Sequence, residues 1–145
     1  MAALSGAMGV ELPDRIGKHA KAGSTEALRL GPDEWLVLAD EVAVPGLIAA
    51  CDRLLPEWPH SLTEISDREL SVCIEGPLAS GLLALGCPRD IDGIGIGRGC
   101  RTVFDGVEVV LWRDGEARFR LDVWRSYAPH VIGLLETGCA ELALE

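Results

Sequence analysis

The sequence predicts an α+β fold, antiparallel sheets with helices covering one face. Three observations carry that expectation. Short apolar alternations outnumber helical stripes, strand runs are interrupted by single helices, and Gly-Pro or Asp-Gly pairs punctuate the runs.

The first such run, "LRLGPDEWLVL" (Leu28 to Leu38), places apolar residues on both sides of Gly31-Pro32. Proline fixes φ and cannot donate a ladder hydrogen bond, so the pair reads as a hairpin corner between strands ending near Leu30 and starting at Trp35. In "VPGLIAACDRLLPEWP", Leu47, Ile48, Cys51, Leu54 and Leu55 form one helical face, with Pro56 and Pro59 as the stop. Leu62, Thr63 and Ile65 read as a strand, Ser66-Asp67 as a turn, and Leu70, Val72 and Ile74 as a half-buried strand. Gly76-Pro77 then launches a helix carrying Leu78, Leu82, Leu83 and Leu85, with Gly86 as its C-terminal stop.

"CPRDIDGIGIGRG" (Cys87 to Gly99) is a glycine-rich loop. It lacks the spacing and the Lys-Ser/Thr of a phosphate loop, and isoleucines 94 and 96 stand where a calcium loop needs oxygen ligands. Beyond it "CRTVF", "VEVVLWRD" and "ARFRLDVW" read as strands, the last two joined at Asp114-Gly115. Ser126 is placed to cap a helix with Tyr127, Val131, Leu134 and Leu135 on one face. Gly138 is its expected end, and "AELALE" is read as a short last strand. The order is therefore β-β-α-β-β-α, a glycine loop, β-β-β, α and a final β.

A chain of 145 residues fits one domain, or two small subdomains, here with approximate limits 9–60 and 61–145. With 23 acidic and 13 basic residues the net charge is −10, which argues against nucleic acid and anionic membranes as partners. The start "MAALSGAMGVELPD" has no basic n-region, and no stretch reaches the roughly 18 apolar residues of a membrane span. The five cysteines (Cys51, Cys73, Cys87, Cys100, Cys139) are odd in number and contain no CxxC pair, so reduced thiols in the cytoplasm are expected, with no metal site.

No constellation of catalytic residues emerges. His19, in the polar stretch "GKHAKAGS", reads as solvent-exposed; His60 and His130 have no neighbour that would make a triad or a metal site. Asp33-Glu34 belongs to a turn, Glu64 and Asp67 flank Ser66, and Asp90 and Asp92 lie in the glycine loop. Trp35, Trp58, Trp112 and Trp124 read as core or interface residues rather than ligand platforms.

Ordered motifs add a resemblance. "LGPDEWLVL" (30–38), "TEISDRELSVCIEGPLASGLLALGCPRDID" (63–92), "GRGCRTVF" (97–104), "VLWR" (110–113) and "FRLDVWRSYA" (119–128) together resemble the gamma subunits of heterotetrameric sarcosine oxidase, from about Gly9 to Leu135. That family is related to the folate-binding domain of the glycine-cleavage T-protein, which implies two intertwined β-α-β subdomains. It implies a non-catalytic structural subunit in the cytoplasm, bound to alpha, beta and delta chains. The parent reaction would be oxidative demethylation of sarcosine to glycine, hydrogen peroxide and a one-carbon unit on tetrahydrofolate. FAD, FMN, NAD, zinc and tetrahydrofolate would all be held by the partner subunits. No catalytic, cofactor-binding or metal-binding residue is carried over to this chain. Two departures stand out: an N-terminal segment with a strand is usual in the family, and "DGIGIGRG" replaces an apolar stretch containing Phe and Pro.

Two other readings remain open at this level. A free-standing folate-binding module would need a pocket acid and an aromatic clamp, for which Glu64, Asp67, Trp112 and Tyr127 are the raw material. A scaffold for another amine-oxidising complex would differ only in the substrate read by its partners. For a partner interface, Trp35, Trp58, Trp124 and the Gly93–Gly99 loop are the places to look.

Overall fold

The computed structural model describes residues 1–144. The chain forms two compact units, Met1–Glu64 and Ile65–Glu145. The sequence reading divided it between residues 60 and 61.

In the first unit, helix α1 (Ala2–Met8) precedes a three-stranded antiparallel sheet of β1 (His19–Ala22), β2 (Thr25–Arg29) and β3 (Trp35–Leu38), in the order β1-β2-β3. A short 3-10 turn (Glu41–Ala43) leads into α2 (Val44–Asp52). The Gly31-Pro32 corner joins β2 to β3 as the sequence predicts, and the amides of Leu30 and Gly31 both donate to the carbonyl of Glu34. A small core gathers Met8, Val10, Leu12, Ala27 and Cys51, with Trp35 and Val37 packed against it. Alternation explains the choice: Trp35 and Val37 lie two apart and share a sheet face.

The second unit is a four-stranded antiparallel sheet of order β4-β7-β6-β5, from β4 (Glu69–Glu75), β5 (Arg98–Phe104), β6 (Val107–Gly115) and β7 (Arg118–Trp124). Helices α3 (Ala79–Ala84) and α4 (Ala128–Leu142) cover one face. The register sets Ile74 beside Phe119, Leu111 beside Leu121, and Val109 beside Val123. All six belong to the core beneath the helices, together with Leu82, Leu83, Val131 and Leu135. Burial of these side chains, at about 1.5–3 kcal/mol each, is what holds the unit together.

Several elements differ from the sequence reading, each for a physical reason. Residues 2–8 are helical and His19–Ala22 is a strand, neither expected. In β1 the apolar positions are only alanines, so the contrast across the strand is weak; the glycine-first turn Gly23-Ser24, with Gly23 at φ 61, was the available signal. The strand expected over residues 62–65 is absent, and that stretch is irregular. Helix α2 ends at Asp52, before the prolines, so Leu54 and Leu55 fall in turns beyond it.

Asp114-Gly115 is not the hairpin turn. Both residues lie in β6 at a register irregularity, and Glu116-Ala117 makes the turn to β7. The Asp-Gly turn is instead Asp105-Gly106, where φ values of 48 and 79 are the mirror-image turn that suits the twist of β5 and β6. Ser126 does not cap α4; Tyr127 occupies the N-cap and Pro129 falls in the first turn. No closing strand forms in "AELALE", because α4 runs on to Leu142 and turns follow; Glu145 lies outside the described residues.

Gly86 stands just past the C-cap of α3, where a helix stop was expected, and it also serves packing, whereas Gly138 serves packing and not termination. Gly138 sits inside α4, where a Cβ would stand 2.7 Å from Leu82 Cδ1 and 2.9 Å from Leu85 Cδ1. Gly86 follows α3, and a Cβ there would lie 2.8 Å from the buried Phe104 ring. A ring held in a packed core cannot retreat without cost. Gly86→Ala is therefore expected to lower stability by about 1–3 kcal/mol, read as a lower urea midpoint at unchanged slope. An unchanged midpoint would show that the Phe104 pocket is loose.

Candidate functional site

Strand alternation sends Phe119, Leu121 and Val123 of β7 to the helices and leaves Arg120 and Asp122 on the opposite face. There the sheet holds its one buried charged side chain among the described residues: Asp122 is only 5% exposed. Its Oδ2 accepts a hydrogen bond from the indole Nε1–H of Trp112 at 2.6 Å, and Trp112 is fully buried. Its Oδ1 accepts from the hydroxyl of Ser71, the residue directly across on β4. Arg120, two residues back, lays its guanidinium over the Trp112 ring at 4.7 Å. The same guanidinium clasps Asp114 through two hydrogen bonds, of 2.5 and 3.0 Å.

Burial raises the Asp122 carboxyl above its usual range; the Ser71 and Trp112 hydrogen bonds pull it back, Glu69 pushes it up and Arg120 draws it down. Both oxygens are held by donors from this chain's own strands. A carboxylate fixed in this way ties β4, β7 and β6 together.

The residues considered for a folate clamp lie in different settings. Trp112 is buried with its N–H committed to Asp122, so its ring is not available as a surface platform. Tyr127 is exposed at the start of α4, Asp67 is exposed in the turn before β4, and Glu64 is exposed in the irregular stretch of the first unit.

Each histidine makes its own local contact. His60 Nδ1 lies 2.6 Å from the Trp58 carbonyl. His130 pairs with Asp105 across 3.1 Å, tying α4 to the β5–β6 turn. His19 is not solvent-exposed as its polar surroundings suggested: it is half-buried, with Nε2 3.2 Å from Glu26, which also holds Lys21 at 2.6 Å. Among the described residues no group of three His, Cys, Asp or Glu side chains could hold a metal ion. All five cysteines are free thiols, and burial pushes the Cys51 thiol up.

Of the expected interface residues, Trp58 and Trp124 are substantially exposed, and Arg68 lies 5.1 Å over the Trp124 ring. Trp35 is half-buried, with its N–H donated to the Pro13 carbonyl at 2.9 Å. The glycine loop ends at Gly97, since Arg98 and Gly99 already belong to β5 and Gly99 is buried. Arg113 holds that loop, donating to the carbonyls of Asp92 at 3.0 Å and Ile94 at 2.7 Å.

Asp122 escaped the sequence reading for a simple reason. In "FRLDVW" it occupies the face where a half-exposed strand carries polar residues, so it reads as solvated. The available signal was the tryptophan on the neighbouring strand, whose indole N–H needs an acceptor once buried.

No family model matches the chain. Curated relatives do. The chain is 32% identical over 145 residues to the sarcosine oxidase subunit gamma of Corynebacterium sp. (strain U-96), covering 98% of this chain and 70% of the relative. It is 31% identical to the sarcosine oxidase subunit gamma of an Arthrobacter species over the same shares of each chain. Among solved structures, a chain of the heterotetrameric sarcosine oxidase from Corynebacterium sp. U-96, in complex with pyrrole 2-carboxylate, superimposes with a TM-score of 0.85. That match has 32% identity and covers 97% of this chain and 72% of the other.

The raised Asp122 carboxyl has a consequence for stability. Between the ordinary carboxylate range and its own higher value, the folded chain binds more protons than the unfolded one. Its contribution is therefore full below about pH 4 and is lost as pH rises through the folded value. Asp122→Asn, which keeps an acceptor for Trp112 and titrates no proton, is expected to flatten that decline, read from urea midpoints between about pH 4 and 7. Asp122→Ala leaves the Trp112 N–H without its acceptor and should cost about 1–3 kcal/mol. Identical pH slopes for the Asp122→Asn variant and the native protein would show that the carboxyl is not raised.

Proposed function

The chain belongs to the family of sarcosine oxidase gamma subunits, and from that membership we propose that it is a structural subunit of a sarcosine oxidase-type heterotetramer. Other subunits are its partners, and we assign them as alpha, beta and delta chains. Oxidative demethylation of sarcosine, with FAD, FMN, NAD, zinc and tetrahydrofolate, belongs in this reading to those chains. The observation that carries the proposal is the coincidence of sequence and backbone: 32% identity over 98% of the chain, and a TM-score of 0.85 to a chain of the heterotetrameric enzyme.

The interior of the chain supports a structural role. Its buried carboxylate is satisfied by Ser71 and Trp112, and its loops are held by arginine bonds to backbone carbonyls. Ser71, Trp112 and Arg113 each spend a side-chain donor on holding strands or loops. No helix among the described residues is long and apolar enough to cross a membrane.

Co-expression with the large, beta-type and delta-type chains tests the proposal. The expected result is a single size-exclusion peak containing this chain and absorbing at flavin wavelengths, while the isolated chain is colourless. Elution of the chain alone beside an assembled flavoprotein would overturn it. Binding of tetrahydrofolate by the isolated chain, measured as heat or as quenched tryptophan fluorescence, would then favour the folate module.

A further inference from the structure

The sheet of the first unit has two dissimilar edges. At one side β1 reads His-Ala-Lys-Ala, short and charged, the kind of edge that resists further pairing. At the other side β3 reads Trp-Leu-Val-Leu, with no charge, and every residue is half-buried. β3 pairs only with β2, and among the described residues no backbone hydrogen bond from 35–38 reaches a segment outside the sheet. Trp35 and Val37 lean on the unit's core, so the strand is held extended while its outer amides and carbonyls point along the sheet plane.

Charges bracket this edge. Asp33 precedes β3, and Asp40 and Glu41 follow it; all three are exposed. Among the described residues no cation is paired with any of the three. Val42, 92% exposed, comes directly after them. A four-residue strand spans about 13 Å, so a strand added at this edge would bring the residues beyond its two ends beside these carboxylates.

A second copy of the chain fits poorly. Antiparallel pairing of β3 with itself would set Asp33 against Asp40 and Glu41, and parallel pairing would set each acid against its counterpart. Like charges placed opposite one another oppose association.

We infer that β3 is the docking edge for an extended segment of another subunit, apolar and alternating at its centre and carrying Lys or Arg at each end. This inference rests on the subunit reading given above. Main-chain hydrogen bonds would supply the affinity, and the flanking charges the register.

Amide exchange compared between the isolated chain and the co-expressed complex is the test, with the triple variant Asp33→Asn, Asp40→Asn, Glu41→Gln alongside. Exchange over residues 35–38 is expected to slow by about tenfold or more in the complex. The triple variant, altered only at exposed positions, should assemble about tenfold more weakly at low salt, with the difference vanishing at high salt. A flavin-coloured complex with unchanged exchange over 35–38 would overturn the docking edge and leave the subunit reading intact. Protection that rises with concentration in the isolated chain would overturn it in favour of a second copy. Slowed exchange with native-like assembly of the triple variant would overturn the basic ends. Failure of any complex to form would overturn the subunit reading, and the docking edge with it.

Discussion

The buried carboxylate of Asp122 constrains the second unit more than any other single group. A carboxylate out of reach of water must have its lone pairs met by protein donors, and an unmet one costs more than any one apolar contact returns. Ser71 and Trp112 supply those donors from the two strands on either side of β7. A one-residue slip of β4 or β6 would carry its donor to the opposite face and would also turn Ile74 or Leu111 away from the helices. Polar and apolar requirements thus select the same register. Each reinforces the other, as expected of a sequence whose local choices agree with its fold.

Two arginines do for the loops what Asp122 does for the strands. Arg29 donates to the carbonyls of Asp14, Gly31 and Pro32 while lying 4.8 Å over the Trp35 ring. Arg113 reaches Asp92, Ile94, Gly115 and Glu116. Segments rich in glycine and proline have few ladder partners for their carbonyls, and a planar fork of five donors can serve several at once. Lysine, with one compact ammonium, could not replace either. The glycine-rich loop is fixed by a residue some twenty positions away.

Much of the architecture was legible because it follows from alternation. The apolar face of β4 and the amphipathic stripe of α4 come from periods of 2 and 3.6, and the Gly31-Pro32 corner from proline's fixed φ between two such runs. What escaped depends on contrast or on distance. Alanines in β1 mark no face, Asp105-Gly106 and Asp114-Gly115 look alike until the register chooses between them, and Gly138 reads as a helix stop until Leu82 is seen against it. At the site, ordered motifs pointed to the family, whereas the Asp122 network needed three strands to be placed side by side. Spacing in one chain cannot show a hydrogen bond between residues 51 positions apart.

That separation has a meaning in chain entropy. β5, β6 and β7 follow one another through tight turns, whereas β4 joins the sheet only by closing the long stretch between Ser71 and Asp122. Relative to a hairpin of a few residues, such a closure costs about 2–3 kcal/mol more, since each doubling adds about 0.6 kcal/mol. The same logarithm makes the stretch tolerant: a few extra residues between α3 and β5 would change the closure by only about 0.1 kcal/mol. The connection can therefore vary in length among related chains while the pairing that Asp122 enforces stays fixed.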